Sequence, residues 1–230
     1  MINNPNYPLR SLGLFILPLV VCLGLMRSVS LPNEKARPPY NSLIIALEFV
    51  HSAVDVANTL EVLSREEIMG LDRVNYFDFI FMAVYSSFLS LFIYKLGVVS
   101  NQPAVKSMAW AGLIIFTSDL LENVMMLSIT SKYLDGGMSF SPYTSFLPLF
   151  TWAKWGLLAV IFAWLGTLLI QKGSLSKVLS LILFIPGILL ALAIVDYFSW
   201  INRFTTSIFL GFIILLIFAV CFRKTEQYQA

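Results

Sequence analysis

Six stretches of the chain run almost without charge for the length of a membrane crossing, and a single stretch shows a two-faced pattern instead. A helix crosses the hydrocarbon core in about 17–25 residues. The apolar runs at 12–31, 77–98, 108–129, 146–170, 178–195 and 205–222 fall in that range. Pro186-Gly187 interrupts the fifth, a break that membrane helices tolerate and that predicts a kink. In 40–63 the pattern changes. Leu43, Leu47, Val50, Val54 and Ala57 recur at helical spacing, with Glu48, His51, Asp55 and Asn58 on another face. That spacing predicts an amphipathic helix lying on the outer membrane surface or capping the bundle. Residues 64–76 then form a polar, partly helical connection back into the membrane. The predicted fold is all-α: an integral membrane helical bundle of six transmembrane helices in one domain over 1–230, with an outer-surface amphipathic helix.

Arg10, the apolar run and Ser28-Val29-Ser30 also resemble a signal peptide, which would leave five spans after cleavage. Arg27, directly before the small residues, argues against cleavage. Orientation follows from basic residues in the short connections. With a cytoplasmic N-terminus, Arg10, Lys95, Lys106, Lys172, Lys177, Arg223 and Lys224 all lie inside, and the short outer loops hold only Lys132 and Arg203. Both termini are therefore expected in the cytoplasm, and the cell membrane is the expected location.

Composition strengthens the membrane assignment. The 230 residues are 58% hydrophobic and 12% charged, with a mean hydropathy of +0.82. Soluble domains carry roughly 25% charged residues. The net charge of +2 is too small and too dispersed for nucleic-acid binding. Cys22 and Cys221 lie in separate apolar runs near opposite faces, so a disulfide is not expected. A single histidine, His51, rules against His-rich metal or haem chemistry.

Against this apolar background the third span is anomalous. "FTSDLLENVMML" places Asp119, Glu122 and Asn123 on one helix face at membrane depth. An ionised side chain at mid-bilayer costs about 2.5–3.5 kcal/mol on insertion scales. Two carboxylates side by side must be neutralised by a proton or by a cation. Lys154 lies eight residues into the fourth span, and Glu122 is about as far from the same end of the third. At ~1.5 Å per residue both sit about 12 Å deep, which allows a Lys154–Glu122 or Lys154–Asp119 pair. Asp78 opens the second span, with Tyr85 seven residues on and near the same face, and Asp196 ends the fifth. All of these groups fall in the outer half of the membrane. Trp110, Trp152, Trp155 and Trp200 sit toward span ends, where aromatic belts form.

No Gly-rich phosphate loop, serine elbow, HExxH element or run of aspartates for Mg²⁺ occurs in the chain. No cofactor and no metal are expected, although Glu48, His51 and Asp55 have an i, i+3, i+7 spacing that a metal could use. The expected binding residues are Asp119, Glu122, Asn123, Lys154, Asp78 and Tyr85, with Glu48, His51, Asp55 and Asp196 as secondary candidates. An outward-facing polar pocket formed by them would bind or move a lipid-like or small polar ligand. One alternative is a structural or assembly subunit that uses the polar groups to pack against a partner or a second copy. Another is a lipid-modifying enzyme with Glu122 or Asp119 as general acid–base. Membrane lipids are the expected partners, with a membrane protein partner or a second copy of the chain as the further candidates.

"LEF" with "TLEVL", "DFIFMAVY", "SDLLENVMML" and "AKWGLL" together resemble an uncharacterised bacterial family of small multi-pass membrane proteins with an intramembrane Asp-x-x-Glu-Asn motif. The resemblance covers roughly residues 45–160. It implies that Asp78, Tyr85, Asp119, Glu122, Asn123 and Lys154 are the residues of interest, and it implies no chemistry.

Overall fold

The computed structural model describes residues 6–137, 139–170 and 174–222. Lys172, Arg223 and Lys224, used above for orientation, lie outside these. Among the described residues there is no strand, and six helical stretches are long and apolar enough to cross a membrane. They are Arg10–Ser28, Arg65–Val99, Pro103–Leu134, Tyr143–Leu169, Ser176–Val195 and Tyr197–Cys221. The protein is an all-α, multi-pass membrane bundle.

The first stretch is a 3₁₀ turn, Arg10–Phe15, that continues as α1, Ile16–Ser28. Between it and the second stretch lies a cap built from α2, Leu43–Glu48, and α3, Ala53–Leu60. The single amphipathic helix expected over 40–63 is thus two short helices with a break at 49–52. The break has a local cause. Ser52 accepts a hydrogen bond from the Asp55 N–H at 3.1 Å, and the Asp55 carboxylate accepts from the His51 N–H at 3.2 Å. These bonds start a new helix at Ala53 rather than continuing the old one. Apolar residues of both short helices, among them Leu43, Leu47, Val56 and Leu60, then pack on Ile68, Met126 and Leu147 of the long helices.

The polar connection expected over 64–76 is the opening of α4, Arg65–Val99, a helix of 35 residues. At ~1.5 Å per residue it is about 52 Å long, well beyond a hydrocarbon core of about 30 Å. Its charged first turns stand outside the core, beside the cap. A capping box starts it: the Glu67 N–H donates to Ser64 Oγ at 3.3 Å, and the Ser64 N–H donates to Glu67 at 2.7 Å. Lys35 ties the preceding chain to the same carboxylate at 2.7 Å.

A short helix, α5 (Pro103–Ser107), and a 3₁₀ turn lead into α6, Ala111–Leu134. It is followed by α7, Tyr143–Leu169. The fifth span is divided into α8, Ser174–Ile182, and α9, Ile185–Val195, with Pro186 in the first turn of α9, so the expected kink is a full break. The last helix, α10, Tyr197–Cys221, begins eight residues before the expected 205. Asp196 caps it by accepting from the Ser199 N–H at 3.3 Å.

Helices α4, α6 and α7 form the centre, where Phe88, Phe92, Ile115, Phe162 and Leu165 are fully buried. Close approach depends on two glycines. A Cβ at Gly112 would overlap Ser90 Oγ and come within 2.8 Å of the Ser86 carbonyl oxygen, where α6 crosses α4. At Gly211 a Cβ would collide with the Phe162 ring, where α10 meets α7. Gly156, by contrast, has nothing within 4 Å of an added Cβ. Gly112→Ala is therefore expected to lower stability in lipid nanodiscs by about 1–3 kcal/mol, the usual cost of overpacking. Gly156→Ala should leave the melting temperature unchanged or raise it slightly, because alanine favours helix by up to ~1 kcal/mol. Equal effects at the two positions would contradict the crossing described here.

Candidate functional site

Three helices and the cap bring polar side chains to one level of the bundle. On α6, Asp119, Glu122 and Asn123 share a face; on α7, Thr151, Lys154 and Trp155 meet it; on α4, Asn75, Asp78 and Tyr85 lie along one stripe at spacings of three and seven. The end of α2 adds Glu48. All of these except Asp78 are at most 6% exposed, and Glu122 and Thr151 are not exposed at all.

Lys154 is the hub. Its Nζ lies 3.0 Å from Asp119 Oδ1 and 3.5 Å from Glu48 Oε1, and it forms an ion pair with Glu122. Glu122 Oε1 lies 2.6 Å from the Thr151 hydroxyl, which also approaches the Glu48 carbonyl at 2.9 Å. Trp155 Nε1 donates to Glu48 Oε2 at 2.8 Å, Tyr85 donates its hydroxyl to Asp119, and Asn123 donates to Asp78 Oδ2 at 2.6 Å. Helix geometry explains the assembly. Thr151 and Lys154 are one turn apart on α7, as are Asn75 and Asp78 on α4, so each helix presents a pair on the same side.

Lys154 therefore touches both residues proposed as its partners from depth alone, and Glu48 as a third. Glu48 departs from expectation most. Placed by periodicity on a wet helix face with His51 and Asp55, it is buried against Lys154 and Trp155, because α2 ends there and turns inward. Burial pushes its carboxyl above the usual carboxylate range, against the opposing pull of the Lys154 charge and the Trp155 hydrogen bond. The spacing that could have held a metal is lost with the helix break. His51 is exposed, and Asp55 pairs instead with Arg37 at 2.6 Å. Partial burial works against the Asp55 charge, yet hydrogen bonds from Ser52, Arg37 and the His51 N–H hold its carboxyl below the usual range. Asp196 is an exposed helix cap, not part of the cluster.

Trp155 also differs from its expected role as a belt anchor, since it is buried and hydrogen-bonded. Trp152 packs against Phe49, Tyr197 and Phe204 and so fastens the cap to α7 and α10. The Tyr40 and Tyr197 hydroxyls, 2.8 Å apart, and Asn202, which bonds Asn41 N at 3.1 Å and the Pro39 carbonyl, complete that seam. Trp110 remains exposed, and Trp200 carries Arg203 over its ring at 4.8 Å.

Beside the cluster lies a cavity of about 620 Å³, bounded by α1, α2, α4, α6, α7 and α10. This is within the size range of small-molecule sites. One wall is polar: Glu48, Asn75, Asp78, Tyr85, Asp119 and Lys154. Apolar side chains make up much of the remaining lining: Leu23 and Met26 of α1, Phe209 and Phe212 of α10, and Phe81 and Leu158, each about one turn from a polar group on its own helix. Glu122 and Asn123 are absent from the lining and stand behind it. At the opposite end, away from the cap, the 3₁₀ turn before α1 packs tightly on α10, with Gly13 against Val220. Toward the cap both α1 and α10 contribute lining residues, so the cavity lies between them. No family model matches the chain, and neither a curated protein nor a solved structure gives a match.

Proposed function

We propose that the protein binds a lipid-like amphiphile in this cavity, its polar head on the ionic groups and its chain along the apolar side chains of the lining. The observation that carries this reading is that buried ionic groups and apolar side chains line the same cavity. A purely structural ion cluster needs no space beside it, and a purely apolar lipid groove needs no buried lysine. The weak docking of α1 supports lateral entry from the bilayer: of its residues only Leu19 and Cys22 are buried, while Leu17, Val20 and Val21 are more than half exposed. Orientation belongs to the same proposal. The end remote from the cap carries Arg10, Lys95 and Lys106 at or near the ends of helical segments, which favours a cytoplasmic location for that end and an outward-facing cavity in the cell membrane.

Lipid content tests the reading. Thr206 lines the cavity and is itself exposed, so Thr206→Trp should fill space there without disturbing the core. Wild-type protein taken from native-lipid discs into detergent is expected to retain a lipid detectable by mass spectrometry. The Thr206→Trp protein should melt at the same temperature and lose that lipid. Equal lipid retention would contradict cavity binding. Copurification of a stoichiometric second protein, lost on Lys154→Met, is the result an assembly subunit would give. For orientation, a Cys-free protein carrying His51→Cys should react with an impermeant maleimide in intact cells; reaction only after permeabilisation would reverse the topology.

A further inference from the structure

The ionic wall is unevenly paired. Lys154 reaches Glu48, Asp119 and Glu122, and no basic side chain among the described residues lies within 4 Å of Asp78. Among the described residues Asp78 has only the Asn123 amide on its Oδ2, and its Oδ1 accepts no side-chain hydrogen bond. Unlike the other acids it is only partly buried, and it faces the cavity. One helical turn toward the cap, Asn75 is 1% exposed and also lines the cavity, and its Nδ2 has no hydrogen-bond partner. A buried amide N–H without an acceptor is costly and uncommon in native structures. At the cavity rim Arg27 is exposed and has no acid within ion-pair distance among the described residues.

From Asp78 toward the cap the sequence of unmet needs is a carboxylate wanting a cation, an amide N–H wanting an oxygen, and a guanidinium wanting an anion. Asn75 and Asp78 are about 4.5 Å apart along α4. Resting on the cavity-binding reading above, we infer that the ligand's head is a primary ammonium joined by a short linker to a phosphate, as in an ethanolamine phospholipid. The ammonium would donate to Asp78, the phosphate oxygens would accept from Asn75, and Arg27 would balance the phosphate charge at the rim. A metal ion meets these needs less well. Among the described residues no three acidic, histidine or cysteine groups converge as a metal site requires, and a metal would leave the Asn75 donor unmet. A quaternary ammonium has no N–H to give Asp78 Oδ1.

Native mass spectrometry of delipidated protein in detergent, titrated with 1-oleoyl lysophospholipids, tests this. Lysophosphatidylethanolamine is expected to bind about ten-fold more tightly than the phosphatidylcholine and phosphatidylglycerol analogues. Asp78→Asn keeps an acceptor for Asn123 and should abolish that preference. Asn75→Leu removes the orphan donor and should reduce the preference in a protein at least as stable as wild type, which guards against misfolding of the first variant. No head-group preference, or one that survives both substitutions, overturns the inference. If all three lipids bind equally and Thr206→Trp blocks them, the cavity reading stands and this one falls. If Thr206→Trp blocks none, the cavity reading itself falls. Displacement of the lysolipid by free phosphoethanolamine at equal concentration would support the head-group chemistry and make the soluble ester, not the lipid, the ligand.

Discussion

An ammonium ion surrounded by hydrocarbon and protein has almost no water to stabilise it, so Lys154 dictates what its neighbours must be. The cost of burying one ion is several kcal/mol even after relaxation. It is offset only if counter-charges and hydrogen-bond acceptors surround the ion closely. Asp119 and Glu122 supply two of these from α6, and Glu48 supplies a third from the cap. Once Lys154 is placed on α7, α6 must turn its acidic face toward it, and the cap must end where Glu48 can reach. Tyr85, Thr151 and Trp155 then satisfy acceptor positions on the acids that Lys154 leaves open. The relative rotation of three helices follows from one charge.

The cavity borders an unbalanced set of charges. Four carboxylates, counting Asp78, face one lysine, so the cluster cannot be a neutral, closed core when all are ionised. Protons or a further cation must supply the balance. Glu122 and Asn123 do not line the cavity. Asp78 and Asn75, which line it with open hydrogen-bonding capacity, are the groups free to meet a ligand. The aromatic seam of Phe49, Trp152 and Tyr197 holds the cap over the site without occupying it. Under the proposed reading, structure and binding divide between the two sides of the same cluster.

Much of this was legible in the sequence, because burial at membrane depth leaves few choices. Apolar run lengths located the spans. Helical spacing put Asp119, Glu122 and Asn123 on one face, and antiparallel depth matching put Lys154 at their level. What periodicity hid was anything decided by local capping or by contacts distant along the chain. Ser52-x-x-Asp55 is a helix-start signal inside what otherwise scans as one amphipathic helix, and Ser64-x-x-Glu67 marks where α4 begins. Glu48 could not be assigned to the core from spacing alone, since its burial depends on α7 lying 103–107 residues away along the chain. Asn75 and Thr151 each lie three residues from a site residue, and that spacing is the signal that would have found them.

The most direct test of the central role of Lys154 is a double-mutant cycle of stability in lipid nanodiscs, with wild type, Glu122→Gln, Lys154→Met and the double variant. If the lysine is held by its carboxylates, the two substitutions will be coupled by at least about 1 kcal/mol, beyond what independent sites show. Lys154→Met will be the costlier single change, because it leaves three buried acids without their cation. Effects that add to within about 0.5 kcal/mol would contradict it: the ion pair would then not be what orients α6 and α7.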